Sequence, residues 1–200
     1  RKQPPDIEAA SAAAERAVRA GVRASTIVQE TRDLLTKRGA PDEVIDLSAL
    51  VMDVISLLER EIDEYGARLR THVVAGAAPF IVADSTSMQQ VLVNLITNAL
   101  HATSASTTTQ RDIDIIIDRP DATHVRLAVA DNGPGIPAEV LPQIFDSFFT
   151  TKTGGMGMGL AISRLAIEAC GGKLIARNRE EGGAMFECLL PVSQQLEATR

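Results

Sequence analysis

Apolar positions along the chain change period several times, and each change marks an element. Ile7, Ala10, Ala14, Ala17, Gly21, Ala24, Val28, Thr31 and Leu35 recur at alternating spacings of three and four. That seam predicts one long coiled-coil-type helix over about 6–38, with Ala and Gly letting a partner helix approach closely. Gly39 and Pro41 end it, and a boundary falls near residue 41. Leu47, Leu50, Val51, Val54, Ile55, Leu58 and Ile62 form the face of a second helix, capped by Asp46 or Ser48 and ending near Gly66.

Leu69, Thr71 and Val73 alternate as a strand. A short apolar strand, 80–83, leads into Asp84, which predicts an N-capped helix to about 103. The Ser/Thr-rich stretch 103–110 has no period and reads as a loop. Ile113, Ile115 and Ile117, then Val125, Leu127 and Val129, predict an antiparallel hairpin with one buried face. Residues 132–158 are rich in Gly, Pro and Thr, with a short helical piece near 138–145. A helix over 159–170 stops at Gly171-Gly172, and strands 173–179 and 184–190 join through Gly182-Gly183. This order predicts an α/β (α+β) two-layer domain, a mixed sheet with helices on one face, over 41–192, with a tail over 193–200.

Composition narrows the function. Of 200 residues 45% are apolar and only 3% aromatic, so the core is aliphatic. Residues 1–38 hold eight basic and five acidic residues, whereas the whole chain carries −6, which argues against nucleic acid as a partner. Cys170 and Cys188 have no CxxC neighbour, which excludes a disulfide scaffold and a thiolate zinc site. No apolar run approaches the roughly 18 residues of a membrane helix. The expectation is a soluble, cytoplasmic protein with no membrane contact within these residues.

Four segments carry polar and glycine residues that the elements do not require. In 90–99, Asn94 and Asn98 stand at i and i+4, with His101 nearby, beside the apolar face of Val91, Leu92, Leu95 and Ala99. Two such amides can offer neutral oxygens to a hard cation; they can equally be solvated or bond a neighbouring helix. Asp131 closes a strand with the inward parity of Leu127 and Val129, before Asn132-Gly133-Pro134-Gly135-Ile136. A buried carboxylate needs a partner, and an exocyclic amine of adenine is one; a DNG turn is also common after any strand. Phe145, Phe148 and Phe149 precede Thr150-Thr151-Lys152, which suits either a lid whose lysine reaches a phosphate or a satellite apolar cluster. Gly155-Met156-Gly157-Met158-Gly159 opens directly into the helix beginning near Leu160, where free amides and the helix terminus favour an anion. It matches neither a P-loop nor a Rossmann fingerprint.

In this order the four segments resemble the N, G1, F and G2 boxes of the histidine-kinase ATP-binding domain of the GHKL superfamily, over about 41–192. The resemblance implies a Bergerat-type fold, a five-stranded mixed sheet backed by three helices, with ATP and Mg²⁺ as ligands. It assigns Asn98 to Mg²⁺ and Asn94 to the metal–phosphate shell. Asp131 would take the adenine amine, with Gly133, Gly135 and Ile136 around the ring. Lys152 and the amides of Gly155, Gly157 and Gly159 would hold phosphate, with Phe148, Thr151, Met156, Met158 and Leu160 lining the site. His101 stands where many members carry a basic residue aimed at phosphate; near its usual pKa of about 6.5 it is mostly neutral at pH 7, so a solvated position is equally open.

ATP-hydrolysing relatives carry Glu at the position of Asn94, and an amide cannot act as general base. The resemblance therefore implies phosphoryl transfer to a histidine in a two-component sensor kinase. His72, His101 and His124 lack the family's acceptor context of a following Glu or Asp and a nearby Pro. Residues 1–40 resemble the second helix of the dimerisation and phosphotransfer hairpin, the first being absent. The implied partners are a second copy through that helix and a response-regulator receiver domain. A non-catalytic nucleotide sensor and a Ser-directed kinase of the superfamily are the alternatives.

Overall fold

The computed structural model describes residues 42–74, 79–106, 110–152 and 155–193. The helix expected over 6–38 and the tail beyond 193 lie outside the described residues. Ten regular elements run in the order β1 (Glu43–Asp46), α1 (Leu47–Tyr65), β2 (Arg68–Val73), β3 (Phe80–Ala83), α2 (Ser85–Ser104), β4 (Asp112–Asp118), β5 (His124–Asp131), α3 (Gly159–Ala169), β6 (Lys173–Asn178) and β7 (Ala184–Pro191).

Local chemistry sets the helix ends. The Asp46 carboxylate accepts from the N–H groups of Ser48 and Ala49 at 2.8 and 3.3 Å, so Asp46 rather than Ser48 caps α1. Gly66, at φ 61°, closes it in the left-handed conformation. Asp84 caps α2 in the same manner as Asp46 caps α1.

β2, β4, β5, β7 and β6 form one mixed sheet in that spatial order; β2 and β4 are parallel and every other pair antiparallel. Strand β4 alternates buried Ile113, Ile115 and Ile117 with half-buried neighbours, three of them aspartates. These isoleucines, Leu127 and Val129 of β5, and Phe186, Cys188 and Leu190 of β7 share one core with Val54 and Leu58 of α1, Leu92 and Leu95 of α2 and Ile167 of α3. Each fully buried Leu or Ile contributes about 1.5–3 kcal/mol. On the opposite face charges pair across strands: Arg126 bonds both Asp118 and Glu187, and Arg177 bonds Glu187. One face dry and one wet is the expected economy of a two-layer antiparallel-rich sheet.

Two expectations need correction. Strand β1, which the sequence pattern did not reveal, pairs antiparallel with β3 as a separate ribbon; β3 is not in the main sheet. The helical piece near 138–145 is a single 3-10 turn, Leu141–Gln143, because Pro137 and Pro142 break a longer helix. The Leu47 N–H bonds Pro79 O at 2.9 Å and the Ser193 N–H bonds Phe80 O at 2.8 Å, so the start of α1 and the end of β7 meet at β3.

Candidate functional site

Helix α2 is the common wall of the site. Its Asn94, Asn98, His101 and Ala102 each meet one of the other singled-out segments. The Lys152 ammonium donates to Asn98 Oδ1 at 2.6 Å and stands 3.2 Å from His101 Nδ1. Asn98 Nδ2 donates to Asn94 Oδ1 at 3.3 Å, and Asn94 Nδ2 donates to Ser163 Oγ at 2.9 Å. One polar chain thus links the segment ending in Lys152, α2 and the first turns of α3.

Gly159 explains how close α3 comes. A Cβ there would lie 2.4 Å from Asn94 Oδ1, so any other residue would require that carboxamide to shift. Ser163 follows one turn later on the same face and is buried. Met158, also buried, precedes α3 and supplies no side-chain cap, which leaves first-turn amides of a helix N-terminus uncovered by a side chain.

Asp131, 2% exposed, ends β5 on the parity that faces the helices. Its Oδ1 accepts from the N–H groups of Gly133 at 2.8 Å and Ala184 at 3.3 Å; among the described residues no hydrogen bond falls on Oδ2. Burial pushes its carboxyl above the usual range, opposed by those two N–H groups and by Arg179. The turn packs directly on α2: a Cβ on Gly133 would stand 3.0 Å from the carbonyl carbon of Ala102.

The lid segment divides. Phe145 and Phe149 pack against the core, whereas Phe148 is 74% exposed at φ 69°. The Phe148 N–H bonds Gly157 O at 3.0 Å, and the Gly155 N–H bonds Lys152 O at 3.1 Å. Thr151 is exposed, Met156 half-buried, and Ile136 and Leu160 are partly buried against the core. Burial holds the Lys152 pKa below its ordinary value. Burial first, and then Lys152, holds that of His101 below the imidazole range, so at neutral pH the ring is an uncharged acceptor; Tyr65 packs edge-on against it, centroids 5.5 Å apart.

The other two histidines lie in strands, His72 3.3 Å from Asp114 Oδ1 and His124 beside Asp121. Cys188 is fully buried, its thiol pushed up to about 12, and Cys170 is partly buried at the end of α3. Sequence reasoning missed Ser163, Asn132 and Asn178. Ser163 had a signal, a small polar residue four after Gly159 on an apolar face. Asn132 stood within a singled-out turn but its bonds to β4 and Gln110 were not read, and Asn178 acts across the chain and had no signal.

No helix among the described residues is long and apolar enough to cross a membrane. A family model described as histidine kinase-, DNA gyrase B-, and HSP90-like ATPase matches residues 83–194. The chain is 36% identical over 192 residues to the sensor protein FixL of Bradyrhizobium diazoefficiens, covering 96% of this chain and 37% of that protein. It is 35% identical over 193 residues to the sensor histidine kinase TmoS of Ectopseudomonas mendocina, covering 96% of this chain and 20% of that protein. The chain therefore spans little more than a third of these relatives at most. The catalytic domain of histidine kinase ThkA superposes with a TM-score of 0.66 at 33% identity, covering 76% of this chain and 98% of that one. ThkA in complex with the response regulator protein TrrA gives 0.73 at 28% identity, covering all of this chain and 55% of that one.

Proposed function

This chain belongs to the histidine kinase-, DNA gyrase B-, and HSP90-like ATPase family, and from that premise we propose that it binds Mg-ATP and transfers the γ-phosphoryl group to a histidine on a dimerisation helix of a sensor kinase. The observation that carries the reading is the convergence on α2 of the three other singled-out segments, with an inward carboxylate at one end and a cation on a carboxamide oxygen at the other.

The family includes hydrolases as well as kinases, and Asn94 favours the kinase. Its amide is engaged on both sides, by Asn98 and by Ser163, and has no proton-accepting pKa with which to activate water. Positioning and charge neutralisation remain, which is what phosphoryl transfer asks of a protein.

The donor set fits a magnesium ion shared with substrate. Among the described residues no cluster of three acidic, His or Cys side chains could hold a metal alone, but Asn98 Oδ1 already accepts a cation, the Lys152 ammonium. Magnesium held by one or two protein oxygens is completed by phosphates and water; when bound, it neutralises charge on the transferring phosphates. Asn98 would hold it and Asn94 would orient Asn98. Lys152 would shift from Asn98 to phosphate, and the α3 terminus and the amides of Gly157 and Gly159 would face the same anion. Asp131 would accept from the adenine amine. Residues 1–40 would serve as the second helix of a dimerisation hairpin, and a response-regulator receiver domain would take the phosphoryl group on.

The test mixes this chain with a dimerisation hairpin bearing the acceptor histidine and γ-labelled ATP. Acid-labile label on the hairpin is expected. Binding of ATP without transfer would favour a nucleotide sensor, and acid-stable label a Ser-directed kinase.

A further inference from the structure

Asn178 stands at the C-terminal end of β6, on the edge of the main sheet, 42 residues from the turn that follows Asp131. Its Oδ1 accepts from the Ile136 N–H at 2.7 Å, and its Nδ2 donates to the Ile136 carbonyl at 2.7 Å. One carboxamide thus satisfies both main-chain polar groups of a single residue, as a partner residue does in an antiparallel ladder. Here a side chain replaces a bridge that the sheet does not extend far enough to make.

Gly135 makes that approach possible. At φ 78° it presents Ile136 to the amide, and a Cβ on it would stand 3.0 Å from Asn178 Oδ1. The other end of the turn is anchored in the same way. Asn132 Oδ1 accepts from the Asp112 N–H at 3.0 Å, and its Nδ2 donates to Gln110 O at 2.9 Å. Next to Asn178, Arg179 donates to the Asp131 carbonyl at 3.1 Å. The ribbon 133–135 is therefore strung between two side-chain amides, directly after the carboxylate assigned to the base.

We infer that Asn178 is a positioning residue for base recognition: through Ile136 it fixes the 133–135 ribbon relative to the Asp131 carboxylate, and so sets the preference for adenine over other bases. The inference rests on the ATP-binding reading above. A residue with a merely structural role would change stability and leave base preference untouched.

The experiment is calorimetric titration of the full 200-residue chain with non-hydrolysable ATP and GTP analogues plus Mg²⁺. It compares wild type, Asn178→Leu and Asn178→Asp, with thermal melts and exchange of the Ile136 amide hydrogen measured alongside. Removing both hydrogen bonds in Asn178→Leu is expected to weaken ATP binding about tenfold and to narrow the ATP-to-GTP ratio by a similar factor. Asn178→Asp keeps an acceptor for the Ile136 N–H but sets a carboxylate oxygen against the Ile136 carbonyl, so it retains exchange protection there and is expected to lose at least half of that effect on a logarithmic scale. An ATP-to-GTP ratio unchanged in both folded variants would overturn the inference while leaving ATP binding standing. Should Asn178→Leu fail to fold, the ratio in Asn178→Asp decides alone. A wild-type chain that binds neither analogue would sink the underlying reading, and this one with it.

Discussion

The two ends of the site are built on opposite plans. At the Asp131 end the side chains bond main chain: Asp131 takes N–H groups from Gly133 and Ala184, Asn132 bonds β4, and Asn178 bonds Ile136. At the Lys152 end they bond one another, in the chain from Lys152 through Asn98 and Asn94 to Ser163. These backbone partners belong to the sheet or to the turn that leaves it, and their positions are set by the fold. Side-chain partners can be traded for a ligand at little cost to the fold. On the proposed reading, the end assigned to the base is preorganised, and the end assigned to phosphate would be assembled by exchange of partners.

The largest effect expected from breaking this contrast is at Asp131. Asp131→Asn should weaken binding of an ATP analogue about tenfold to a hundredfold, the range for a hydrogen bond to a charged group; unchanged binding by calorimetry would refute the adenine assignment. The same variant has a stability signature. Burial raises the folded-state pKa of Asp131, so the native carboxyl holds its proton more tightly than the unfolded one. Its contribution is complete below the ordinary carboxylate range and is lost as pH rises through the raised value. Ligand-free Asp131→Asn should lack that loss, and urea melts at pH 4 and pH 7 read it.

Next in size is Gly159→Val, which places branched carbon where a Cβ would already lie 2.4 Å from Asn94 Oδ1. Overpacking there should cost about 1–3 kcal/mol in urea unfolding and weaken nucleotide binding with it. A variant of wild-type stability would mean that the α2–α3 approach is looser than the contact implies.

Lys152→Met should do less and act asymmetrically. On the proposed reading it removes a phosphate partner, so ADP affinity measured in EDTA should fall about fivefold. It also frees Asn98 Oδ1, so half-saturation by Mg²⁺ should come at lower concentration. Equal losses with and without Mg²⁺ would break the idea of exchange at this end.

Smallest is the pH effect at His101. Burial and Lys152 lower its folded-state pKa, so its contribution to stability is present above the unfolded value of about 6.5 and declines as pH falls through the lower folded value. His101→Gln should flatten that decline in thermal melts between pH 7 and pH 5, and an identical decline would assign it elsewhere.

What could be read from the sequence was what short range determines. Asp84 and Gly66 announced their helix ends because capping is settled within three residues, and the alternating isoleucines of β4 announced its buried face because strand parity is local. Strand β1 went unread because its four residues become a strand only by pairing with β3, more than thirty positions away. The site followed the same rule. Asn94, Asn98 and Asp131 were marked by helix spacing and strand parity, whereas Asn178 is a single amide at a strand end whose meaning lies in Ile136. Phe148 resisted for the opposite reason: grouped with two packed rings in sequence, it alone turns outward.

The ribbon of β1 and β3 carries one more consequence. The N–H groups of Leu47 and Ser193 bond neighbouring carbonyls, those of Pro79 and Phe80. The first helix and the last strand of the domain are therefore tied to the same end of one short strand. Loosening β3 should release α1 and the end of β7 together, as one cooperative opening.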